Sequence, residues 1–389
     1  MAARTPPRFL TRTMATTFAT VVFILGARRA QERTRRLPQV LMTLERIVAS
    51  MLLALSGTAA VAAQESHPSR LSADTATSVT MFSSYKHLSG VFDATVSADI
   101  GRGLTAIVRP WFWKRPDGTS TFQFYQLQAR YQSRTRVPLR IDAGVITSPL
   151  GLSTLQQRAD LNPTMTPVFY YVIPLPRFDV SFDGLQMMTA GYPMGAIVTT
   201  SGALWDLRGG VVDSTPARPR VELKRNQRPA MPQLVVGGGL TPRAGFRVGA
   251  GFARGAYRKA TATVPDARAT VFNLEAEYAF NRTRLSGEWV RDGFETTAGP
   301  VSARSFYVQG VQALTPRLFA AARVARTRTP PVFPGPPVRR TWTTAELTAG
   351  YRLTRDWTVR GGYYGQQTYT AIDWDHRAGV SLVWARRWF

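Results

Sequence analysis

The stretch Phe92-Asp93-Ala94-Thr95-Val96-Ser97-Ala98-Asp99-Ile100 puts apolar residues on one parity and polar or acidic residues on the other. A β-strand points successive side chains to opposite faces, so this period of two describes a strand with one apolar and one polar face. The pattern recurs in Phe272, Leu274, Ala276, Tyr278 and Phe280 against Asn273, Glu275 and Glu277. It recurs again in Ala345, Leu347, Ala349 and Tyr351 against Thr344, Glu346, Thr348 and Arg352. Across 64–389 no window holds a helical period, and no apolar run reaches 18 residues, which excludes helical membrane spans.

Alternation also suits a soluble sandwich, and the connections between strands separate the two. Seven connections are tight: Gly101-Arg102-Gly103, 133–137, a turn near 192–202, 241–244, 281–283, Thr315-Pro316 and Thr354-Arg355-Asp356. Eight are longer, at about 86–90, 114–118, 147–182, 214–231, 255–267, 294–302, 328–340 and 367–376. The two kinds alternate and join sixteen strands. Short turns at one end and long loops at the other mark a membrane barrel. The expected fold is all-β: a transmembrane antiparallel β-barrel of about 16 strands within 64–389. Aromatic residues near the strand ends suit the two interfacial girdles of such a barrel. They are Trp111, Trp113, Tyr131, Trp205, Phe246, Tyr278, Phe280, Trp289, Phe306, Trp342, Tyr351, Trp357, Trp384 and Trp388. Pro110 is the one proline inside an expected strand, where it removes a ladder donor, so a bulge or a strand end is expected there.

The last strand carries Ala378, Val380, Leu382 and Trp384 on one parity, followed by Trp388 and Phe389. This resembles the final strand of outer-membrane β-barrel proteins. The resemblance implies that Trp384, Trp388 and Phe389 form the signal read by the barrel assembly machinery. The run Asp142-Ala143-Gly144-Val145, Pro149-Leu150-Gly151 and Asp183-Gly184-Leu185-Gln186 resembles a strand-loop-strand region of the phosphate-selective O/P-like porins. That likeness implies a passive diffusion channel for small hydrophilic solutes in the outer membrane of a Gram-negative-type bacterium. Such a channel contacts membrane lipid and lipopolysaccharide, and is a homotrimer or a monomer. The resemblance to general porins also implies that the third external loop, 147–182, folds into the lumen and narrows it. In that loop Arg158, Asp160, Phe169, Tyr170, Tyr171 and Arg177 are the expected constriction residues, with a short helical stretch over 154–160 and a break at Asn162-Pro163. A phosphate channel's lysine ladder is missing, because the chain has only Lys86, Lys114, Lys224 and Lys259. Phosphate selectivity is therefore not implied.

Sixteen strands leave an aqueous interior, whereas eight are filled by side chains. The inward parity is accordingly expected to be polar. Its basic members are Arg109, Arg130, Arg140, Arg208, Arg247, Arg284, Arg317, Arg323, Arg352, Arg360 and Arg377. Its acids are Asp93, Asp99, Asp142, Asp206, Glu275, Glu277, Glu288 and Glu346. Eleven bases against eight acids suggest a mild anion preference, with much of the charge paired across strands.

The 389 residues include 49 Lys+Arg and 24 Asp+Glu, a net charge of +25. Met42 opens a run that reads as a secretory signal, with Arg46 ahead of the apolar core from Ile47 to Leu55 and small residues at 60–63. Residues 1–41 precede it and are expected to be an over-extended start, with 42–63 the signal peptide. Residues 1–63 carry nine Arg and two Glu, so 64–389 retains 40 bases and 22 acids, or +18.

Several chemistries find no support. The absence of Cys excludes disulfides, thiolate metal sites and a cysteine nucleophile. His67, His87 and His376 have no Ser or Asp partner at a recognisable spacing, so neither an enzyme nor a metal or cofactor site is expected. Gly249-Ala250-Gly251 with Gly255 lacks the following helix that a nucleotide loop needs. Arg218, Arg220, Lys224, Arg225 and Arg228 read as a solvated loop or a site for lipopolysaccharide phosphates, not for nucleic acid. Two rival readings are a plugged structural or adhesion barrel and a soluble nucleic-acid binder.

Overall fold

The computed structural model describes residues 71–84, 87–133, 138–152, 157–168, 175, 193–213, 232–258, 266–330, 340–369, 371 and 373–388. The expected signal segment and the basic run 218–228 lie outside them. The strands are β1 (Leu71–Phe82), β2 (Ser89–Gly101), β3 (Leu104–Lys114), β4 (Ser120–Gln132), β5 (Leu139–Val145), β6 (Met194–Ser201), β7 (Trp205–Asp213) and β8 (Gln233–Arg243). They continue as β9 (Phe246–Arg258), β10 (Ala267–Phe280), β11 (Thr283–Thr296), β12 (Gly299–Ala313), β13 (Leu318–Arg328), β14 (Thr341–Arg352), β15 (Trp357–Gln367) and β16 (Asp375–Arg387). Each strand pairs antiparallel with its sequence neighbours. The first and last strands pair from Asp74↔Arg387 to Phe82↔Gly379, which closes the barrel. The chain is thus the sixteen-stranded closed antiparallel barrel that the alternation predicts.

The two parities separate as expected on the well-patterned strands. In β10, Asn273 and Glu275 are buried while Phe272 and Leu274 are exposed. In β14, Thr344, Glu346 and Thr348 are buried while Leu347 is 61% exposed. Val236, Val308, Val324 and Val380 continue this apolar outer face around the wall. Its rims carry Tyr131, Trp205, Phe280, Phe306, Tyr351, Trp357 and Trp388, all exposed.

Three local expectations are corrected. The turn placed near 192–202 is mostly strand, since β6 runs from Met194 and only 202–204 turn. The long connection that contains 147–182 joins β5, which ends at Val145, to β6, which begins at Met194, and much of it lies outside the described residues. The loop expected at 294–302 is a tight hairpin: Gly299 takes φ +112°, and Thr296 Oγ1 donates to the Gly299 carbonyl at 2.6 Å. Glycine and threonine there make a two-residue turn, where composition alone suggests a longer loop. Trp111 leaves the girdle. It shares the inward parity of Arg109, is buried, and stacks on Tyr125 at 4.6 Å.

Pro110 meets its expected irregularity. Arg109 pairs with Gln126 but Pro110 pairs with Phe124, so Tyr125 is an extra residue in β4. The register slips where proline cannot donate.

Leu347 lies at mid-strand on the outward face, so Leu347→Arg should destabilise the folded barrel in lipid vesicles by about 2–4 kcal/mol. Thr348→Ser, one residue along on the inner face, should change stability by less than about 1 kcal/mol. Urea unfolding followed by tryptophan fluorescence measures both.

Candidate functional site

The segment 157–168 lies inside the barrel and is held partly by hydrogen bonds of its own backbone and side chains. The amides of Leu161 and Asn162 donate to the Arg158 carbonyl at 3.1 and 2.9 Å, forming one turn. Proline at 163 stops that turn from extending, because it restricts the residue before it. Asn162 then organises the exit. Its Oδ1 accepts from the Thr164 amide at 3.2 Å and hydroxyl at 2.9 Å, and its Nδ2 donates to the Thr166 carbonyl at 2.6 Å. The helical stretch expected over 154–160 falls partly outside the described residues, and the described part is this single turn.

The wall then fastens the segment. Glu346 of β14 accepts the Met165 amide at 2.6 Å, the Thr166 amide at 3.2 Å and the Thr166 hydroxyl at 2.5 Å. Arg323 of β13 donates to Glu346 at 3.0 Å, to the Thr166 hydroxyl at 2.9 Å, to the Pro167 carbonyl at 3.2 Å and also to the Thr166 carbonyl. The side chains of this ion pair are 3% and 2% exposed. Arg360 of β15 donates to the carbonyls of Ala159, Asn162 and Thr164 at 3.2, 2.6 and 2.7 Å. Its other terminal nitrogen reaches Ser381 of β16 at 3.2 Å. Arg158 pairs with Asp160 at 2.8 Å and with Asp74 of β1. Burial disfavours the Arg158 cation, but the hydrogen bonds and charges of Asp160 and Asp74 outweigh it and raise the pKa above the usual arginine value.

The start of the same long connection is fixed farther round the wall, on β11. Gly151 has φ +80°, and a Cβ there would lie 2.1 Å from the Glu288 carboxylate. That close approach lets the Leu152 amide donate to Glu288 of β11 at 3.1 Å. Leu150, 2% exposed, packs with Ile146, Val168 and Leu175 against inward residues of β6–β13, among them Val235, Ala253, Val271, Val290, Phe294 and Tyr307. The connection therefore crosses the interior from β11 to the wall formed by β13–β16 and β1. The expectation of a uniformly polar inner wall is corrected: beneath this connection the inward parity is apolar. The reason is packing, because a wall covered by chain needs no hydration.

The remaining wall arginines are largely paired. Arg109 forms a bidentate pair with Asp93 at 2.8 and 2.6 Å, both side chains buried. Arg130 and Arg140 flank Asp142 at 2.6 and 2.9 Å. Arg284 meets Glu277 at 2.6 Å. Arg208 reaches Glu275 at 3.2 Å, and Arg247 bridges Glu275 to Asp206 at 3.0 Å. This last network spans β7 to β10 over a floor of glycine. A Cβ at Gly239 would sit 2.5 Å from Arg247, and one at Gly249 would sit 2.7 Å from Glu275. Of the glycines weighed as a nucleotide loop, Gly249 instead makes room for the Glu275 carboxylate, and Gly251 and Gly255 for the amide side chains of Asn273 and Gln233. Arg317 departs from expectation: it lies in the turn between β12 and β13, not on the wall. Arg352 ends β14 and donates to the Pro316 carbonyl at 2.9 Å.

Between 159–163 and the turn end lies a cavity of about 620 Å³. Arg282, Arg284, Arg352, Arg355 and Arg360 line it against Asp160 and Asp356. This basic basin combines turn and strand residues. Phe169, Tyr170, Tyr171 and Arg177 lie outside the described residues, as does Phe389. Trp384 is described and lies 6.3 Å from Trp357. Trp388 donates its indole N–H to Thr75 of β1 at 3.1 Å. Asp74, Asn162 and Ser381 were not expected as site residues. Of these only Asn162 carried a signal, since Asn-Pro favours a turn.

No protein-family model matches the chain, and no curated protein sequence matches it. Solved structures do. An anion-selective porin from Comamonas acidovorans superposes with TM-score 0.52 at 12% identity, covering 82% of this chain and 98% of that one. The trimer form of OmpT, an outer-membrane protein of Vibrio cholerae, gives 0.51 at 10% identity over 81% and 98%. Salmonella typhi OmpF, in a complex with daunomycin, gives 0.50 at 13% identity over 81% and 97%. The chain therefore has the fold of the sixteen-stranded porins.

Arg360→Met should free the inner segment without unfolding the barrel, because it strips partners from three carbonyls at about 1–3 kcal/mol each. Hydrogen exchange read by mass spectrometry should show at least about tenfold faster exchange over 158–166 than in the unaltered chain. Exchange in β10 and β11 should stay unchanged.

Proposed function

We propose that this chain is an outer-membrane porin, a passive diffusion channel for small hydrophilic solutes with a mild preference for anions. One observation carries the reading: a segment latched across the interior by Arg323, Glu346 and Arg360 leaves a cavity lined by five arginines and two aspartates beneath it. A fixed constriction above a basic basin is an arrangement that selects by size and by sign of charge. The arginines paired with carboxylates contribute little net field, so the preference rests on Arg282, Arg352 and Arg355 near the turn end. On this reading the short turns face the periplasm and the long loops face outward. Residues 42–63 act as the export signal, Trp384, Trp388 and Phe389 serve the assembly machinery, and the chain works without a cofactor or catalytic step. The trimer form of the Vibrio cholerae protein supports a homotrimer.

A second reading has its own observation. The apolar inner wall packed by Ile146, Leu150, Val168 and Leu175 suits a plugged barrel whose loops carry the function.

Planar-bilayer recording separates the two. Discrete conductance steps are expected, with a reversal potential in a salt gradient of the sign given by anion preference. Arg282→Glu with Arg355→Glu should move that potential toward cations and leave step frequency unchanged. Absence of steps from a folded barrel would replace the channel reading with the plugged one.

A further inference from the structure

The apolar inner wall of β8–β13 is explained by the chain that covers it, but a second apolar stretch of inner wall is left open. At the turn end Val311 and Ala313 of β12 and Ala385 of β16 are half-buried and line the cavity of about 620 Å³. Phe319 of β13 joins them. Its ring lies against Gly350, where a Cβ would come within 2.1 Å of it, and the Arg352 guanidinium lies over the ring at 5.6 Å from its centroid. Leu161 and Pro163 of the latched segment close the cavity from the other side, and Leu161 is 56% exposed. Arg360 holds the carbonyls of Ala159 and Asn162 on either side of Leu161, so this leucine is kept at the cavity. Apolar side chains thus converge on one space from the wall and from the constriction.

Cations stand on the rim of the same space. Arg282 lies in the turn between β10 and β11, and Arg355 in the turn between β14 and β15. Both are exposed, and among the described residues neither forms an ion pair. Of the two lining acids, Asp160 is already paired with Arg158. Asp356 alone therefore faces Arg282, Arg352 and Arg355, and positive charge is in excess. An inorganic anion would gain nothing from the apolar half of this cavity, and a neutral hydrophobe nothing from the guanidinium groups. A molecule with a carboxylate at one end and a compact apolar body at the other uses both. Guanidinium takes a carboxylate bidentately, and the body removes apolar surface from water on two sides. The volume lies within the roughly 300–1,000 Å³ of small-molecule sites, which combine an apolar lining with a few placed polar groups in this way.

We propose that the turn-end cavity is a binding site for aromatic monocarboxylates of benzoate size. Arg282 and Arg355 hold the carboxylate, and Leu161, Val311 and Phe319 contact the ring. The assignment deepens the porin reading by naming the solute class held at the turn-end mouth, and it rests on that reading for the solute's access alone.

The test uses the full chain folded into phosphatidylcholine bilayer discs, with protein-free discs as the blank. Saturation-transfer NMR titrations give the affinities of benzoate, of acetate (the charge without the ring) and of benzyl alcohol (the ring without the charge). Folding of every variant is checked by migration of unheated and heated samples. The unaltered chain should bind benzoate at least about tenfold more tightly than either of the other two. Leu161→Asn with Val311→Thr should abolish the advantage over acetate and leave acetate binding as it was. Arg282→Gln with Arg355→Gln should weaken benzoate by about tenfold or more. Arg102→Gln with Arg386→Gln, at the same end but away from the cavity, should change nothing. Equal affinity for benzoate and acetate, equal affinity for benzoate and benzyl alcohol, or undiminished benzoate binding by the Leu161→Asn, Val311→Thr variant would overturn the proposal. Planar-bilayer recording keeps the two readings apart. Benzoate binding without conductance steps supports the site and removes only the channel, whereas steps without a preference for benzoate over acetate keep the channel and overturn the site.

Discussion

The pairing of β1 with β16 is the constraint on which everything else rests. A bilayer interior offers no water to a backbone donor, so an open sheet would leave two edges of unpaired amides there. Nine residue pairs from Asp74↔Arg387 to Phe82↔Gly379 remove both edges at once. Closure also sets the geometry of the inside, since sixteen strands enclose a space too wide for wall side chains alone to fill. The long connection from β5 to β6 occupies part of that space. Its position follows from the closed wall, because its anchors come from β1, β11, β13, β14 and β15, which only closure brings around it.

The anchoring chemistry explains how a segment without regular structure stays in one place. Loops usually satisfy their backbone groups with water. Here Glu346 takes two amides and Arg323 and Arg360 take several carbonyls, so wall side chains replace solvent for the segment. Arg323 and Glu346 also neutralise each other, which keeps a buried ion pair from being an unpaired burden. Elsewhere the same two residue types pair for a different end. Over the glycines of β8 and β9, Arg208 and Arg247 reach carboxylates of β7 and β10, and the network lies flat because no side chain intervenes. The inner basic residues with fewest carboxylate partners gather in the turn-end basin.

Much of the barrel was legible in residue order because membrane strands obey one rule. Phe272, Leu274 and Leu347 face outward, while Asn273, Glu275 and Glu346 face inward, as simple alternation requires. Pro110 announced its own irregularity, because a residue without an N–H cannot sit in a continuous ladder. The failures have a common origin. The hairpin at 296–299 and the strand at Met194–Ser201 are short of the distinguishing composition that marks loop or strand, so their local preferences do not decide them. Trp111 was assigned by residue type to the interface, but parity with Arg109 governs it.

Sequence alone determined the period, the polarity of most faces, the number of strands and the length class of most connections, the hairpin at 296–299 excepted. Those properties depend on neighbours two to fifteen residues apart. Tertiary structure decided which arginines are partnered and where the inner wall turns apolar. Such contacts join residues through strand register and through a loop that folds back across the interior. A single-residue change in register would exchange the inner and outer faces of a strand. Only the closed ladder, with every strand held by two neighbours, selects one arrangement.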